Sequence, residues 1–404
     1  MLGEPGRLSG DQDEFLEDLS RRSFRFFWEQ ADPTTGLVRD RALADSAAPD
    51  ARTVASIAAT GFGLTALCIA AERGWITREQ ARGRALATLR FYAEKSVHEH
   101  GWFYHFVDAR TGERRCGSEI SSIDTILLLA GMLTVRGYFS GDAEISRLAC
   151  AVWNRIDFHW MLDDYPQLLS MGWLPEIGFI KSRWDHNCEL GILYLLGIAS
   201  PTNPLPIDSW YAWRRPKISY HGYEYISGAP PLFVHQYSQA WIDYRGHCER
   251  RAPGTDWFEN SVTATLAHRQ FCLDLRERFP DYEENVWGIT ASDSVNGYVA
   301  WGGPPATAGI DGTVVPCAAG GSLMLAPEVC LPALMTMRRK FGDRIYKRYG
   351  FVDAFQPGGW TDTDVIGIDV GITLLSAENL RTGRVWRWFH RNPEVQSAMH
   401  RIFV

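Results

Sequence analysis

The segment from Val54 to Ala71 constrains the fold more than any other part of the chain. It contains the run SIAATGFGLTALCIAA, which is small and apolar on nearly every side of a helix. A helix without a polar face has to be surrounded by other elements. We therefore expect this segment to lie in the middle of the fold.

Helical patterns recur along the whole chain. Two of them begin at capping boxes, Ser9…Gln12 and Thr77…Gln80. Helices are predicted at 9–28, 54–71, 77–94, 120–135, 142–156, 188–198, 232–244, 257–279, 327–340, 370–380 and 393–402. Long loops rich in glycine, proline and tryptophan separate several of them. The pattern predicts an all-α fold, an (α/α)6 barrel (toroid) in which residues 1–404 form a single domain and the loops form a cleft at one end.

Charge and composition narrow the class of partner. The formal net charge is −7 and no dense block of lysine and arginine occurs, so no nucleic-acid partner is expected. No apolar run reaches the roughly 18 residues of a membrane helix, and the segment after Met1 lacks a secretory-signal pattern. We therefore expect no membrane partner and a cytoplasmic location, or a periplasmic one if a leader has been removed. Nothing in the sequence indicates an oligomeric state.

The 16 tryptophans have two interpretations. They fit a large packed core, and they equally fit a cleft whose rings stack on sugars. The eight cysteines show no CxxC spacing, which favours free thiols.

Acidic residues stand at the start of several apolar helices. Glu119 and Asp124 precede LLLAGML, Glu189 precedes GILYLLGIAS, and Asp369 opens a helix near the C-terminus. Such an acid can cap the helix or complement its dipole. It can also be a desolvated carboxyl with a raised pKa, which suits a general acid. The residues alone leave both interpretations open.

Metal and cofactor chemistry is not expected. Asp362, Asp364 and Asp369 could coordinate calcium, but their spacing is not that of an EF-hand loop. The chain has no GxGxxG, no GxxxxGK[ST] and no GxSxG motif. We predict a protein without metal or organic cofactor.

Several segments resemble those of a known family. They are 32–41 (DPTTGLVRDR), 56–63 (SIAATGFG), 101–106 (GWFYHF), 118–125 (SEISSIDT), 236–243 (QYSQAWID), 288–293 (GITASD), 349–355 (YGFVDAF) and 378–383 (ENLRTG). Together they look like the bacterial glycoamylase-like family, which includes endo-β-1,2-glucanases and a domain of cyclic β-1,2-glucan synthases. The matches extend over about residues 12–400.

The resemblance implies an (α/α)6 barrel acting on glucans, with roles for particular residues. Asp124 takes the place of a functionally important glutamate, and the general acid falls on Glu189. A distant relative's base falls near Asp369. Ser121 departs from the family, because it takes the place of an aspartate.

From the acids and the resemblance together we predict a glycoside hydrolase cleaving a β-linked glucan, β-1,2-glucan above all. Glu189 is the predicted acid, Asp369 or Asp124 the base, and Glu119 a supporting carboxyl. Inversion is expected, with Glu189 more than about 6 Å from its partner. The predicted sugar-binding residues are Asp40, Arg41, Trp184, Gln239, Trp241, Asp293, Trp301, Trp360, Glu378 and Asn379. The alternatives are a retaining transglycosylase and a non-catalytic glucan-binding protein, the latter favoured by Ser121.

Overall fold

Fourteen α-helices lie in the part of the chain that the computed structural model describes, residues 8–45 and 50–404. They are α1 (Gly10–Glu29), α2 (Ile57–Glu72), α3 (Arg78–Glu94), α4 (Ser122–Tyr138), α5 (Ala143–Arg155), α6 (Gly191–Ile198), α7 (Asp208–Ala212), α8 (Tyr237–Trp241), α9 (Trp257–Asp274), α10 (Pro316–Gly321), α11 (Pro327–Phe341), α12 (Gly367–Thr382), α13 (Arg384–Phe389) and α14 (Pro393–Ile402). Of the segment examined for a secretory signal, residues 1–7 lie outside the described part.

The helices form two concentric rings. The inner ring runs α2, α4, α6, α8, α10, α12 and returns to α2, with the 3₁₀ turn Leu232–His235 joining α8 to α10. Helices α1, α3, α5 and α11 pack outside it, and α14 covers α6. This is the predicted (α/α)6 barrel. As expected from its all-round apolar sequence, α2 is buried along nearly its whole length.

Two glycines let the inner helices α2 and α4 touch. A Cβ at Gly61 would lie 2.2 Å from the carbonyl oxygen of Leu127, and one at Gly131 would lie 2.1 Å from the carbonyl oxygen of Gly61. Any side chain at either position would force the two backbones apart. The small residues that made the sequence of α2 look unusual are therefore what the close packing requires.

Short antiparallel strands line the loops. They are β1 (Arg41–Leu43), β2 (Val54–Ser56), β3 (His98–Glu99), β4 (Trp102–Phe103), β5 (Phe106–Asp108), β6 (Ile120–Ser121), β7 (Gly172–Leu174), β8 (Gly178–Phe179), β9 (Lys217–Tyr220), β10 (Tyr223–Ile226), β11 (Tyr346–Lys347), β12 (Gly350–Phe351) and β13 (Asp364–Ile366). The pairs are β1–β13, β2–β5, β3–β4, β9–β10 and β11–β12, and β6–β7–β8 is three-stranded. Strands β2, β6 and β13 run directly into α2, α4 and α12, so the pairing fixes where these helices begin.

The predicted helix ends agree with the structure where a cap marks them. Both capping boxes are present, at Ser9 and at Thr77, and α12 ends at Gly383 with a positive φ of 62°. Elsewhere the predictions were wrong. The helix predicted at 232–244 is a 3₁₀ turn followed by the five-residue α8, the one predicted at 188 begins at Gly191, and the one at 257–279 ends at Asp274. Helices α7, α10 and α13 were not predicted.

Helix α13 closes the barrel at the C-terminal ends of the inner helices. It contacts α2, α4, α8 and α12, and Trp386, Trp388 and Phe389 are buried there. The indole Nε1 of Trp386 donates to the carbonyl oxygen of Gln239 at 2.7 Å. Among the described helices, none combines the length and apolarity needed to cross a bilayer.

Candidate active site

The three acids predicted to do chemistry converge at the open end of the barrel. Asp124 lies in the first turn of α4 and Asp369 in the first turn of α12, while Glu189 lies in the turn just before α6. The turns that follow each of these acids are largely apolar, so the acids stand where the helices meet the loops. The charge of Asp124 contributes to the raised pKa of Glu189, which indicates that the two carboxyls lie near each other.

Glu189 is a half-buried carboxyl with a raised pKa. Its backbone carbonyl accepts a hydrogen bond from Ser238 Oγ at 2.8 Å, which fixes the turn against α8. Burial, and secondarily the charge of Asp124, raise the pKa of Glu189 to about 7. At neutral pH this residue therefore carries a proton for a large part of the time.

His105 bridges two of the acids. Its Nδ1 lies 3.1 Å from Glu119 Oε1 and its Nε2 lies 3.6 Å from Asp124 Oδ1. Burial by itself lowers the pKa of His105, but Asp124 and Glu119 outweigh it and raise the pKa to about 9. The hydrogen bond with His105 in turn lowers the pKa of Glu119. At neutral pH the cluster is thus an imidazolium between two carboxylates.

Ser121 occupies the position where the resemblance implies an aspartate. It is the N-cap of α4, and its Oγ accepts from the backbone N–H of Asp124 at 3.3 Å. The same hydroxyl donates to Asp124 Oδ2 at 2.5 Å. Asp124 is therefore held from one side by a hydroxyl and from the other by His105.

Asp369 is paired with a second buried acid, Asp353. Burial raises the pKa of Asp369 to about 6, and hydrogen bonds from Asp353 and Cys317 act against that rise. Burial and the Asp369 charge raise the pKa of Asp353 well above its usual range. Asp353 Oδ2 accepts the backbone N–H of Asp293 at 2.7 Å, whereas Oδ1 meets no N–H or O–H donor among the described residues. A proton on Asp353 that is shared with Asp369 accounts for this arrangement.

Arg41 connects the remaining acids of the cleft. Its Nη1 donates to Asp293 Oδ2 at 2.6 Å and its Nε donates to Asp40 Oδ2 at 3.1 Å. The charge of Asp40 also contributes to the raised pKa values of Asp369 and His105. The structure thus brings Asp40, Arg41 and Asp293 to the predicted catalytic acids.

Two groups within the described residues have ligand atoms within 4.8 Å of one another, as a metal site would need: His105, Glu119 and Asp124, and Asp293, Asp353 and Asp362. In the first, a protonated imidazole has no lone pair for a metal. In the second group, the carboxylate of Asp293 already pairs with Arg41. Both groups differ from the calcium cluster considered from sequence, because Asp364 is bound by Arg52 at 2.5 Å and does not join Asp369.

Four of the predicted sugar-binding residues lie away from these acids and make contacts within the framework of the barrel. Gln239 is 3% exposed and its Nε2 donates to the carbonyl of Trp257 and to Ser261 Oγ. Trp241 is fully buried against Phe62, with its Nε1 on Thr65 Oγ1. These contacts hold α8 to its neighbours, whereas Gln239 Oε1 meets no donor among the described residues.

The other two are at the closed end of the barrel. Glu378 and Asn379 lie in the last two turns of α12, whereas Asp369 lies in the first. Arg73 donates to Glu378 at 2.6 Å, and Asn379 donates to the carbonyl of Ala240. Both side chains are buried and engaged in structure.

The remaining tryptophans differ in exposure. Trp301 is 3% exposed, and its Nε1 donates to Ser292 Oγ, so its ring is a buried wall and not a platform. Trp184 is also buried, and its Nε1 donates to Ser122 Oγ at 2.8 Å, which places it behind the start of α4. Trp360 keeps a half-exposed ring two residues before Asp362. Of the four, Trp360 alone has a surface that a sugar could contact.

Sequence reasoning missed His105, Asp353, Tyr237 and Tyr298. Tyr298 is 55% exposed and has Asp369 and Asp353 among the charges that act on it, which makes it an aromatic ring at the cleft. Tyr237 is buried, and its burial together with the charges of Asp369 and Glu189 raises the pKa of its hydroxyl. The first three belong to the segments quoted for the family resemblance, so the signal was present, but they sit at strand or helix ends where no periodicity marks them.

The fold and the site together define the class of this protein. It is an (α/α)6 barrel whose inner helices begin at a cleft of interacting carboxyl groups. The chain belongs to the glycoamylase-like family, whose model, described as "putative glucoamylase", matches residues 181–393.

Named relatives agree with that membership. An endo-β-1,2-glucanase from Chitinophaga pinensis, solved with sophorotriose and glucose, is 28% identical with a TM-score of 0.89, over 98% of this chain and 99% of that one. A putative glucoamylase from Bacteroides caccae is 28% identical with a TM-score of 0.88, over 97% and 99%. An exo-β-1,2-glucooligosaccharide sophorohydrolase from Parabacteroides distasonis is 27% identical over 96% of this chain, which spans 58% of that protein's length.

Proposed function

We propose that this chain is a glycoside hydrolase that cleaves β-1,2-glucan. Two of the relatives, the sophorohydrolase from Parabacteroides distasonis and the endo-β-1,2-glucanase from Chitinophaga pinensis, are named for activity on β-1,2-linked glucans. The proposal rests above all on one observation: a glutamate whose pKa is raised to about 7 faces a cleft that also holds acids of lower pKa. Glycosidic cleavage needs one carboxyl protonated and one ionised at the same pH.

Glu189 is the general acid in this proposal. It is protonated at neutral pH because burial disfavours its charge, and the nearby Asp124 carboxylate disfavours it further. A proton held at this pKa can be given to the leaving glycosidic oxygen without a large energetic penalty. Once the proton has left, the ionised Glu189 is destabilised in its half-buried turn, which favours reprotonation before the next turnover.

Asp369 is the general base, with Asp353 as the group that positions it. With a pKa of about 6, Asp369 is mostly ionised at neutral pH and can accept a proton from water. The protonated Asp353 donates to one oxygen of Asp369 and leaves the other for that water. Asp124 is the second candidate for the base, held by Ser121 and His105.

Inversion is the expected stereochemistry. Asp369 lies in the first turn of α12 and Glu189 in the turn before α6, so the two carboxyls come from different parts of the ring, and both charges act on Tyr237. Inversion needs about 6.5–9.5 Å between the carboxyls, which leaves room for a water between base and anomeric carbon. NMR of the first-formed product tests it: an inverted anomer supports the mechanism, and a retained anomer favours the transglycosylase alternative.

The decisive experiment is incubation with β-1,2-, β-1,3-, β-1,4- and α-linked glucans, read by product chromatography. Cleavage of the β-1,2 polymer, or of its oligosaccharides, above all others is expected. Cleavage of another linkage alone would overturn the substrate assignment. An oligosaccharide that raises the melting temperature and is never cleaved would instead show a glucan-binding protein, the alternative that Ser121 raised.

A further inference from the structure

A second cavity lies outside the acidic cleft. It has a volume of about 240 Å³ and is enclosed by the hairpin β9–β10, helix α9 and the segment 303–306. None of the cleft acids lines it. Its walls are largely apolar, with Ile218, Tyr225 and Ala264 among them, and two histidines, His235 and His268, supply most of its polar side-chain atoms.

The tautomer of His268 is set by the backbone. The residue is 1% exposed, and its Nε2 lies 3.0 Å from the backbone N of Ile289. Because an amide N–H can only donate, Nε2 must be the unprotonated nitrogen, and the proton sits on Nδ1. This Nδ1–H has no acceptor among the residues that the structure describes, although the ring lines the cavity.

His235 has the opposite tautomer. Its Nε2 lies 3.2 Å from Ser227 Oγ, and this hydroxyl donates its single proton to the carbonyl of Ala229 at 2.8 Å. Ser227 can therefore only accept from His235, so Nε2 carries the proton and Nδ1 is an acceptor. Within the described chain, no group donates to this Nδ1.

Both rings are neutral at physiological pH. Burial lowers the pKa of His235 to about 4, and burial together with His235 lowers the pKa of His268 to about 3. No lysine or arginine lines the cavity, so an anion would find no countercharge. The buried pair thus offers one uncharged donor and one uncharged acceptor in an apolar wall, which is the usual make-up of a small-molecule site.

We propose that this cavity binds a neutral, hydroxyl-bearing molecule of about the size of one monosaccharide, whose hydroxyls accept from His268 Nδ1–H and donate to His235 Nδ1. A hydroxyl is the neutral group that both donates and accepts, which a donor beside an acceptor requires. A volume of about 240 Å³ is smaller than the roughly 300–1,000 Å³ of sites for larger ligands, which suits a single sugar ring and not a chain. The assignment does not depend on the proposed catalytic function.

A metal ion is a poor match for the same pair. To bind one, His268 Nδ1 would have to lose its proton to Nε2, which would then face the Ile289 N–H donor to donor. That rearrangement costs a buried backbone hydrogen bond.

Site-specific NMR of the full chain with ¹⁵N-labelled histidine tests the assignment, with D-glucose as the probe. Without glucose, His268 should report the Nδ1–H tautomer and His235 the Nε2–H tautomer. Saturable glucose-dependent shifts are expected at both residues but not at the exposed His221, while zinc should leave both unchanged. Identical tautomers, zinc-dependent loss of the Nδ1 proton, or glucose shifts absent at both would each overturn the proposal.

Two variants separate the cavity from the cleft. His235→Phe removes the acceptor, and Ala264→Leu fills the cavity from α9 while both histidines stay in the chain. Each should weaken the glucose-dependent shift at His268 at least tenfold in affinity, and His221→Phe, the exposed control, should not. Because H235F could fail to fold, A264L is the second arm. Unchanged glucose affinity at His268 in a folded A264L protein would refute the site.

Discussion

Burial of the Glu189 carboxyl group affects both its acidity and the stability of the folded protein. Its raised pKa of about 7 makes it an acid at neutral pH, and the same burial makes its ionised form unfavourable. The burial that suits Glu189 to act as an acid therefore lowers the stability of the folded protein once the residue is ionised.

Glu189→Gln keeps the shape and removes the proton. We expect kcat/KM on β-1,2-glucan to fall by about 10²- to 10⁴-fold, the usual contribution of a general acid. The folded state should become more stable than the parent at pH 8 by up to about 3 kcal/mol, at about 1.4 kcal/mol per pKa unit. The stability difference should disappear near pH 4, where Glu189 is protonated in both states. Denaturation at the two pH values checks this.

Asp185→Asn is the matched control for that variant. Asp185 lies four residues earlier and pairs with Arg214 at the surface at 2.9 Å. The activity of the Asp185→Asn variant should match that of the parent protein. If Asp185→Asn lost as much activity as Glu189→Gln, the loss would come from the loop and not from the acid.

The pH dependence of activity follows from two pKa values. Asp369, as base, must be ionised and so loses activity as the pH falls below about 6. Glu189, as acid, must be protonated and so loses activity as the pH rises above about 7. A narrow bell between these values is expected in kcat/KM, and E189Q should lose its alkaline limb. An alkaline limb that persists in E189Q would assign it to another group.

Removal of metal ions should leave the activity intact. The positive charges that balance the cleft carboxylates are Arg41 and protonated His105, both part of the chain. Dialysis against a chelator, followed by assay with and without calcium, checks this. Activity that vanishes and returns with calcium would identify the Asp293, Asp353 and Asp362 group as a metal site.

At the level of elements, two inner helices begin in the same way but differ in one contact. Ser56 caps α2 by accepting from the backbone N of Ala59 at 3.2 Å, and Ser121 caps α4 through the backbone N of Asp124. Only Ser121 also donates to a carboxyl group.

Ser121→Ala and Ser56→Ala therefore form a matched pair. Each should lower the free energy of unfolding by about 1 kcal/mol through the lost cap. Only Ser121→Ala should also reduce kcat, because Asp124 loses a hydrogen bond that holds it. Chemical denaturation and initial rates distinguish the two effects. Equal activity in both variants would mean that Asp124 does not need Ser121 in catalysis.

The elements that could be predicted from sequence are those with local signals. Ser9 and Thr77 mark helix starts through capping boxes, and the apolar run of α2 identifies an inner helix. Helices α10 and α13 are six residues each, too short for a period to show, and α10 is largely alanine and glycine. They exist because the barrel packs around them, which is a tertiary effect that overrides weak propensity.

The site residues also divide into those with a local sequence signal and those without one. Asp124, Glu189 and Asp369 could be singled out because a charge at the start of an apolar helix stands out. His105 and Asp353 could not, since long-range pairing of short strands and loops brings them in. The buried positions of Gln239 and Trp241 could not be predicted, because a motif match does not tell which face of the short α8 a side chain occupies.

At the scale of the whole molecule, Glu378 belongs to the framework of the closed end. It is 1% exposed and bound to Arg73, whose side chain is 11% exposed. Glu378→Gln should cost about 1–3 kcal/mol of unfolding free energy, because the buried guanidinium of Arg73 loses one of its two carboxylate partners and keeps the other, Glu17. Activity measured well below the melting temperature should be unchanged.

Glu283→Gln is the control for that change. Glu283 pairs with Lys340 at the surface, where both side chains are more than 40% exposed, and loss of such a pair costs no more than about 1 kcal/mol. Activity lost in folded E378Q at low temperature would return Glu378 to the list of substrate contacts.

The closure of one end by α13 limits the routes by which a substrate can enter and a product can leave. With Trp386, Trp388 and Phe389 sealing the base of the ring, the barrel is a cup and not a tunnel. A long polymer cannot be threaded through it, so under the proposed function it must lie across the rim. Whatever is released must leave by the mouth through which it came. A product fragment must then leave the cleft before the next chain can enter it, so product release contributes to the turnover rate.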